Sequence, residues 1–205
     1  MLGPVWPTAG GLVRQAVSAA AGGVTLPMLP VRGSVILAAS VSNAVKLTTM
    51  VPSGGGCVWA CIGRAFGPVS GAQIDVGLFL GIVDDTPSTS VSVSVSGGSA
   101  VTMAVELPSM PRILTHPSIR GNLAGSGTLA LPSGIRDRPG GIVVYIYGAQ
   151  GTVSAVPSGI PILLDRTNTV RGILGLRARV GAEAHSFAFA ANNQQAAIAA
   201  VIRPT

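Results

Sequence analysis

Apolar runs of strand length, broken by clusters of Gly, Pro and Ser, set the rhythm of this chain. The clearest lies in Gly141–Pro157 (GIVVYIYGAQGTVSAVP), where Ile142–Ile146 is apolar at every step. β-Branched and aromatic side chains suit a pleated, half-buried surface better than a helix. Pro139-Gly140-Gly141 before it and Pro157-Ser158-Gly159 after it bound the run at strand length. An apolar run without polar alternation predicts a strand covered on both faces, or one side of a sheet sandwich.

Upstream the same pattern predicts strands at Val31–Ser40, Cys57–Phe66, Gln73–Val83, Ala100–Leu107 and, shorter, Gly127–Leu131. Ser90–Ser96 (SVSVSVS) alternates strictly, with Val91, Val93 and Val95 on one face. Ala44–Met50 reads as a strand or one turn of helix, stopped by Pro52-Ser53-Gly54-Gly55-Gly56. Leu107–Pro117 holds three prolines and predicts an irregular connection, and Pro132–Gly141 a loop. About eight short strands between Gly/Pro turns indicate an all-β sandwich, barrel or jelly roll. No helix of normal length interrupts the middle of the chain, which argues against an α/β enzyme.

The ends read differently. Residues 1–30 are expected to be an N-terminal arm, with Gly11–Ala21 as a short helix. Residues 31–157 form the expected central β domain, and 158–205 a partly basic extension of strand or arm. Within that tail His185–Ala191 alternates like a strand, and the Ala-rich Gln194–Ile202 suits a short helix or an arm. No internal repeat is evident beyond the Ser-Val tract. The core is expected to comprise Val35, Leu37, Val58 or Trp59, Val76, Leu78, Leu80, Ile142, Val144 and Ile146.

Composition sharpens this. Of 205 residues only 10% are charged and 4% aromatic, with a mean hydropathy of +0.58. No apolar run approaches the roughly 18 residues of a spanning helix, and no charged segment precedes an apolar one at the N-terminus as in a secretory signal. So much apolar surface with so little charge points to burial between subunits and to no membrane partner. Net charge is +6, carried by twelve Arg and Lys46. Arginine favours paired, stacked or phosphate-facing settings.

Candidate chemistry is sparse. Cys57 and Cys61, on one strand face, stand roughly 13 Å apart, too far for a local disulfide, and read as buried apolar thiols. Asp84-Asp85 precede Thr86-Pro87 as turn residues, and where subunits meet they are weak candidates for Ca²⁺. His116 reads as a packing or hydrogen-bonding residue of the proline-rich connection. Gly54–Gly56 lacks the Lys and helix of a phosphate loop, and Gly125-Ser126-Gly127 is a turn. No catalytic constellation and no cofactor is expected. Arg166, Arg171, Arg177 and Arg179 are the candidates for RNA contact, with Arg136 and Arg138 weaker. LGLRARV also fits an ordinary strand with exposed arginines.

The order VRGSVILAAS (31–40), KLTTMV (46–51), CVWACIG (57–63), DVGLFLGIVDDTP (75–87), GGSAVTM (97–103), LPSMPR (107–112) and IVVYIYGAQGTVSAVP (142–157) resembles tymovirus and marafivirus-like coat proteins. The resemblance implies a single jelly-roll domain whose copies assemble into an icosahedral virion around positive-sense single-stranded RNA, bound largely without sequence readout. It also implies assembly in the host cytoplasm. The rival expectation is a β-sandwich carbohydrate-binding or adhesin-type module, which would need exposed aromatics. A third, an RNA-binding module acting alone, would need more basic and stacking residues.

Overall fold

Every regular element among the described residues is a strand. The structure, a computed structural model, describes residues 13–44, 49–66, 73–96, 100–108, 113–120, 127–130, 142–150, 162–178, 186–189 and 195–204. In chain order the strands are β1 (Gln15–Ala19), β2 (Gly23–Thr25), β3 (Val35–Ala44), β4 (Met50–Gly54), β5 (Cys57–Phe66), β6 (Gln73–Val83), β7 (Ser90–Val95) and β8 (Ala100–Leu107). They continue with β9 (Ile113–Arg120), β10 (Gly127–Ala130), β11 (Ile142–Gln150), β12 (Ile162–Thr167), β13 (Val170–Ala178), β14 (Ser186–Phe189) and β15 (Gln195–Pro204).

These strands build one five-stranded sheet, β1-β8-β3-β6-β5, and a second, β12-β13-β11-β15-β9. A three-stranded sheet, β2-β7-β4, and the pair β10-β14 complete the fold. All pairings are antiparallel. The two five-stranded sheets face each other across the main core, in which Val35, Leu37, Val76 and Leu78 meet Ile142, Val144, Ile146 and Leu174. On the far side of the first sheet, Ile36, Ala38 and Phe79 pack under Val91 and Val93 of the three-stranded sheet. On the far side of the second, Val143, Tyr145, Tyr147 and Ile173 form another buried layer.

The apolar run of β11 follows from this layering. Ile142, Val144 and Ile146 enter the main core and Val143, Tyr145, Tyr147 and Ala149 the outer layer, so both faces of the strand are covered and the polar alternation of a half-exposed strand is missing. β7 has one covered face, and there Val91 and Val93 are buried while Ser90 and Ser94 are exposed.

Several expectations fail, each for a physical reason. Gln15–Ala19 is a strand on the edge of the first sheet, not part of a helical arm. The tail is not appended to the fold, because β12, β13 and β15 share a sheet with β11. Ala-rich Gln195–Pro204 is a strand between β11 and β9, where tight packing on both faces favours small side chains over alanine's helix preference. The proline-bearing segments β4 and β9 are strands too, not a stop and an irregular connection. Both lie on sheet edges, where proline's missing N–H costs no ladder bond. Gly54, Gly55 and Gly56 all have positive φ and carry the tight turn from β4 into β5. The core expectation holds except at Val58, which is 76% exposed on the edge strand β5, whereas Trp59 packs half-buried against the layer formed by Ile36, Phe79 and Val91.

Candidate functional site

Charged side chains are few, and the structure shows what most of them do. Each of the five carboxylates among the described residues is engaged within the chain. Arg32 Nε meets Asp85 Oδ1 at 2.6 Å in an exposed pair. Asp84 Oδ1 accepts from the Thr86 amide at 2.8 Å and from its hydroxyl at 3.0 Å, an Asx turn. The two adjacent aspartates thus serve different partners, and among the described residues no cluster of three or more His, Cys, Asp or Glu could hold a metal ion.

Glu106 is the most elaborate case. It is fully buried on β8, and its Oε1 accepts from Arg14 Nη1 at 2.6 Å, Ser34 Oγ at 2.6 Å and the Val31 amide at 2.9 Å. Gln15 Nε2 donates to Oε2 at 2.6 Å, while the Gln15 amide also exchanges hydrogen bonds with the Met28 backbone. Burial alone would raise the carboxyl, but the four donors outweigh it and hold it below its ordinary value. The network ties β1, β8 and the segment leading into β3 into one unit. The sequence signal was a lone Glu in the apolar strand AVTMAVEL, facing a lone Arg in an otherwise uncharged arm.

Arg64 on β5 pairs through Nη2 with the buried Asp75 Oδ2 on β6, and its guanidinium lies 5.0 Å from the Phe66 ring centre. Sequence reasoning singled out neither residue. Arg171 on β13 grips Asp165 on β12 in a fork, Nε to Oδ1 at 2.9 Å and Nη2 to Oδ2 at 2.5 Å. That hydrogen bond raises the Arg171 pKa further.

The four arginines proposed from sequence therefore do not form one patch. Arg171 and Arg177 lie on the outer face of β13, with Ile173 between them. Arg177 opposes the burial that pushes the Tyr145 hydroxyl pKa upward. Arg166 is exposed and pairs in register with Gly172, which places it on the opposite face. Arg179, Arg136 and Arg138 lie outside the described residues. His116 falls on β9 opposite Val201. Both cysteines are free, but only Cys57 is partly buried, its thiol pushed up to about 12 by burial and by the charges of Asp84 and Glu106. Cys61 is exposed, against expectation, because β5 is an edge strand.

Comparison with family models, with curated proteins and with solved structures returns no significant match. No helix among the described residues is long and apolar enough to cross a membrane.

Proposed function

We propose that this chain is a structural subunit that assembles in many copies into a closed shell around single-stranded RNA, without catalysis. The observation that carries the reading is the strand order of β1–β8. Two interlocked Greek keys give a jelly roll, whose sheets run 1-8-3-6 and 2-7-4-5. Here β1-β8-β3-β6 faces β2-β7-β4, and only β5 departs, by joining β6 at the edge. That order is widely used by shell-forming subunits and also by lectins.

Charge and hydropathy favour the shell over the lectin. Exposed Met28, Leu29, Val31, Val51, Val58, Ile82 and Ile162 supply apolar contact area. The tyrosines, which a sugar site would need exposed for stacking, are buried. With the described carboxylates already engaged, the net charge of +6 leaves arginines in surplus for phosphate. The resemblance to tymovirus-like coat proteins points the same way, and with it a place in the virion and, during assembly, the host cytoplasm.

The test is electron microscopy and light scattering on the purified protein, with absorbance at 260 and 280 nm. Closed particles that carry RNA are expected. A stable monomer or dimer that binds glycans and no RNA would overturn the reading in favour of a carbohydrate-binding module.

A further inference from the structure

The strand order occurs twice. Within residues 13–108 the first strand pairs with the last, the last with the third, the third with the strand two before the last, and that strand with its predecessor. Residues 113–204 repeat this as β9-β15-β11-β13-β12. The second strand pairs with the next to last in both, as β2-β7 and β10-β14.

Register makes the correspondence residue-specific. Val35 lies between Leu107 and Ile82, and Ile142 between Ile202 and Ala178. Counting back along β6 and β13 from Ile82 and Ala178 matches Asp75 with Arg171 and Gly77 with Ile173, and the ladder partners of the latter two match Arg64 with Asp165. Each half thus has one ion pair at the same place, with its polarity reversed. The edge strands also bulge at matching points, between Cys61 and Gly63 and between Ile162 and Leu164. Bulges are retained features of a strand, not accidents. Counting forward, Ser90 matches Ser186, their partners are Thr25 and Ala130, and the next residues are Leu26-Pro27 and Leu131-Pro132. Val-Pro-Ser-Gly recurs as well, at 51–54 and 156–159.

The packing between the halves is reciprocal. β6 touches β11 and β13 touches β3; β5 lies over β9 and β1 over β12. At the centre, Val41 matches Gly148 and Val76 matches Gly172. A Cβ on Gly148 would stand 2.6 Å from a methyl of Val41 and 2.7 Å from one of Val76, and a Cβ on Gly172 would stand 3.2 Å from Val41. Contacts in which each position meets its own duplicate, or i meets j and j meets i, are the signature of an isologous twofold interface.

We infer that the chain is two copies of one strand unit, packed about a twofold axis, and that the face between its five-stranded sheets is a homodimer interface enclosed in one polypeptide. The partner this surface fits is its own duplicate. Divergence has made the fit directional: valines in the first half fill the space over glycines in the second. Two first halves would set valine against valine, and two second halves would leave a void. In the proposed shell, and resting on that reading of the function, one chain would occupy two wedge positions.

A twofold axis fixes a distance that can be tested. The span from Ile202 to Val13 must equal that from Leu107 to Leu114, which six residues bridge. A permutant opening at Ile113 and closing at Arg112, with the natural ends joined, bridges it with fifteen residues; deletion of Met1–Ala9 leaves six. Both permutants should keep the β-sheet spectrum and one cooperative transition, with Tm within about 5 °C of the natural chain. Folding of the longer permutant alone overturns the twofold. If neither is soluble, the natural-order chain decides through R64D and R64D/D75R. Recovery of most of the Tm lost by R64D supports equivalence of the two ion-pair sites, and absence of recovery overturns it.

Discussion

Tyr147 donates its hydroxyl proton to Gln195 Oε1 at 2.6 Å, between neighbouring strands and away from water. The bond joins β11 to β15 within the outer layer of the second sheet, beside the buried Ala149, Ile173 and Ala197. A buried amide oxygen deprived of a donor loses about 1–3 kcal/mol. Tyr147→Phe should therefore lower unfolding free energy by about that much with no change in spectrum. Gln195→Leu should cost less in a Tyr147→Phe background than in the natural chain, as denaturant titration of the double-mutant cycle would show.

The same tyrosine sets a limit at high pH. Burial pushes its hydroxyl up to about 12, whereas the unfolded chain ionises near 10. A raised folded pKa gives stability that is complete below the unfolded value and is lost as pH rises from 10 through 12. Thermal melts between pH 9 and 12 should show a fall in Tm that Tyr147→Phe makes shallower.

Glu106 acts at the other end of the scale. Its folded pKa is lowered, so its contribution is complete above the ordinary carboxyl value near 4.5 and is lost as pH falls through the folded value. Glu106→Gln should lower Tm at neutral pH and flatten its acid dependence. Glu106→Ala, which removes the carboxylate acceptor from Arg14 and Ser34 and leaves Gln15 only the Met28 carbonyl, should cost about 3–5 kcal/mol. Melts from pH 3 to 7 check both, and equal acid slopes in the natural and Gln chains would refute the assignment.

Val144 lies in the main core with no exposure, opposite Leu176 and Ala200. An ionised carboxylate there has no partner and costs several kcal/mol, comparable to the stability of a whole domain. Val144→Asp should give insoluble or unfolded protein. A soluble variant with the natural melt would remove β11 from the core.

Strands with branched side chains were legible in the sequence because both local propensity and burial asked for the same thing. Cys57–Phe66, Gln73–Val83, Ala100–Leu107 and the start of β11 fall where the pattern puts them. β15 was not legible, since an Ala-rich segment becomes a strand only when neighbours on both sides supply the ladder. Pro52 and Pro117 misled for a related reason: tolerance of proline depends on sheet position, which chain order does not reveal. At the candidate site, spacing brought Arg166, Arg171, Arg177 and Arg179 together. Strand parity separates Arg166 from Arg171, and strand pairing brings Asp165 onto Arg171. The repeat is not legible in the sequence because the matched positions share pairing, bulge and charge complementarity but few identities.

The separation of these arginines predicts different outcomes for RNA packaging, the binding implied by the proposed shell. Arg166 is exposed, so its guanidinium can reach a phosphate without giving up a protein partner held in a fork. Arg171 spends its fork on Asp165, and a phosphate would have to displace a bidentate carboxylate. Arg166→Ala should lower RNA per particle and reduce the salt slope by roughly 0.7 per lost contact, with Tm nearly unchanged. Arg171→Ala should instead lower Tm, since Asp165 is left without its partner, and leave RNA per particle constant. The ratio of absorbance at 260 and 280 nm, read on purified particles at several salt concentrations, separates the two. Loss of RNA in the Arg171 variant with a full load in the Arg166 variant would reverse the assignment and move the phosphate contact to the outer face of β13.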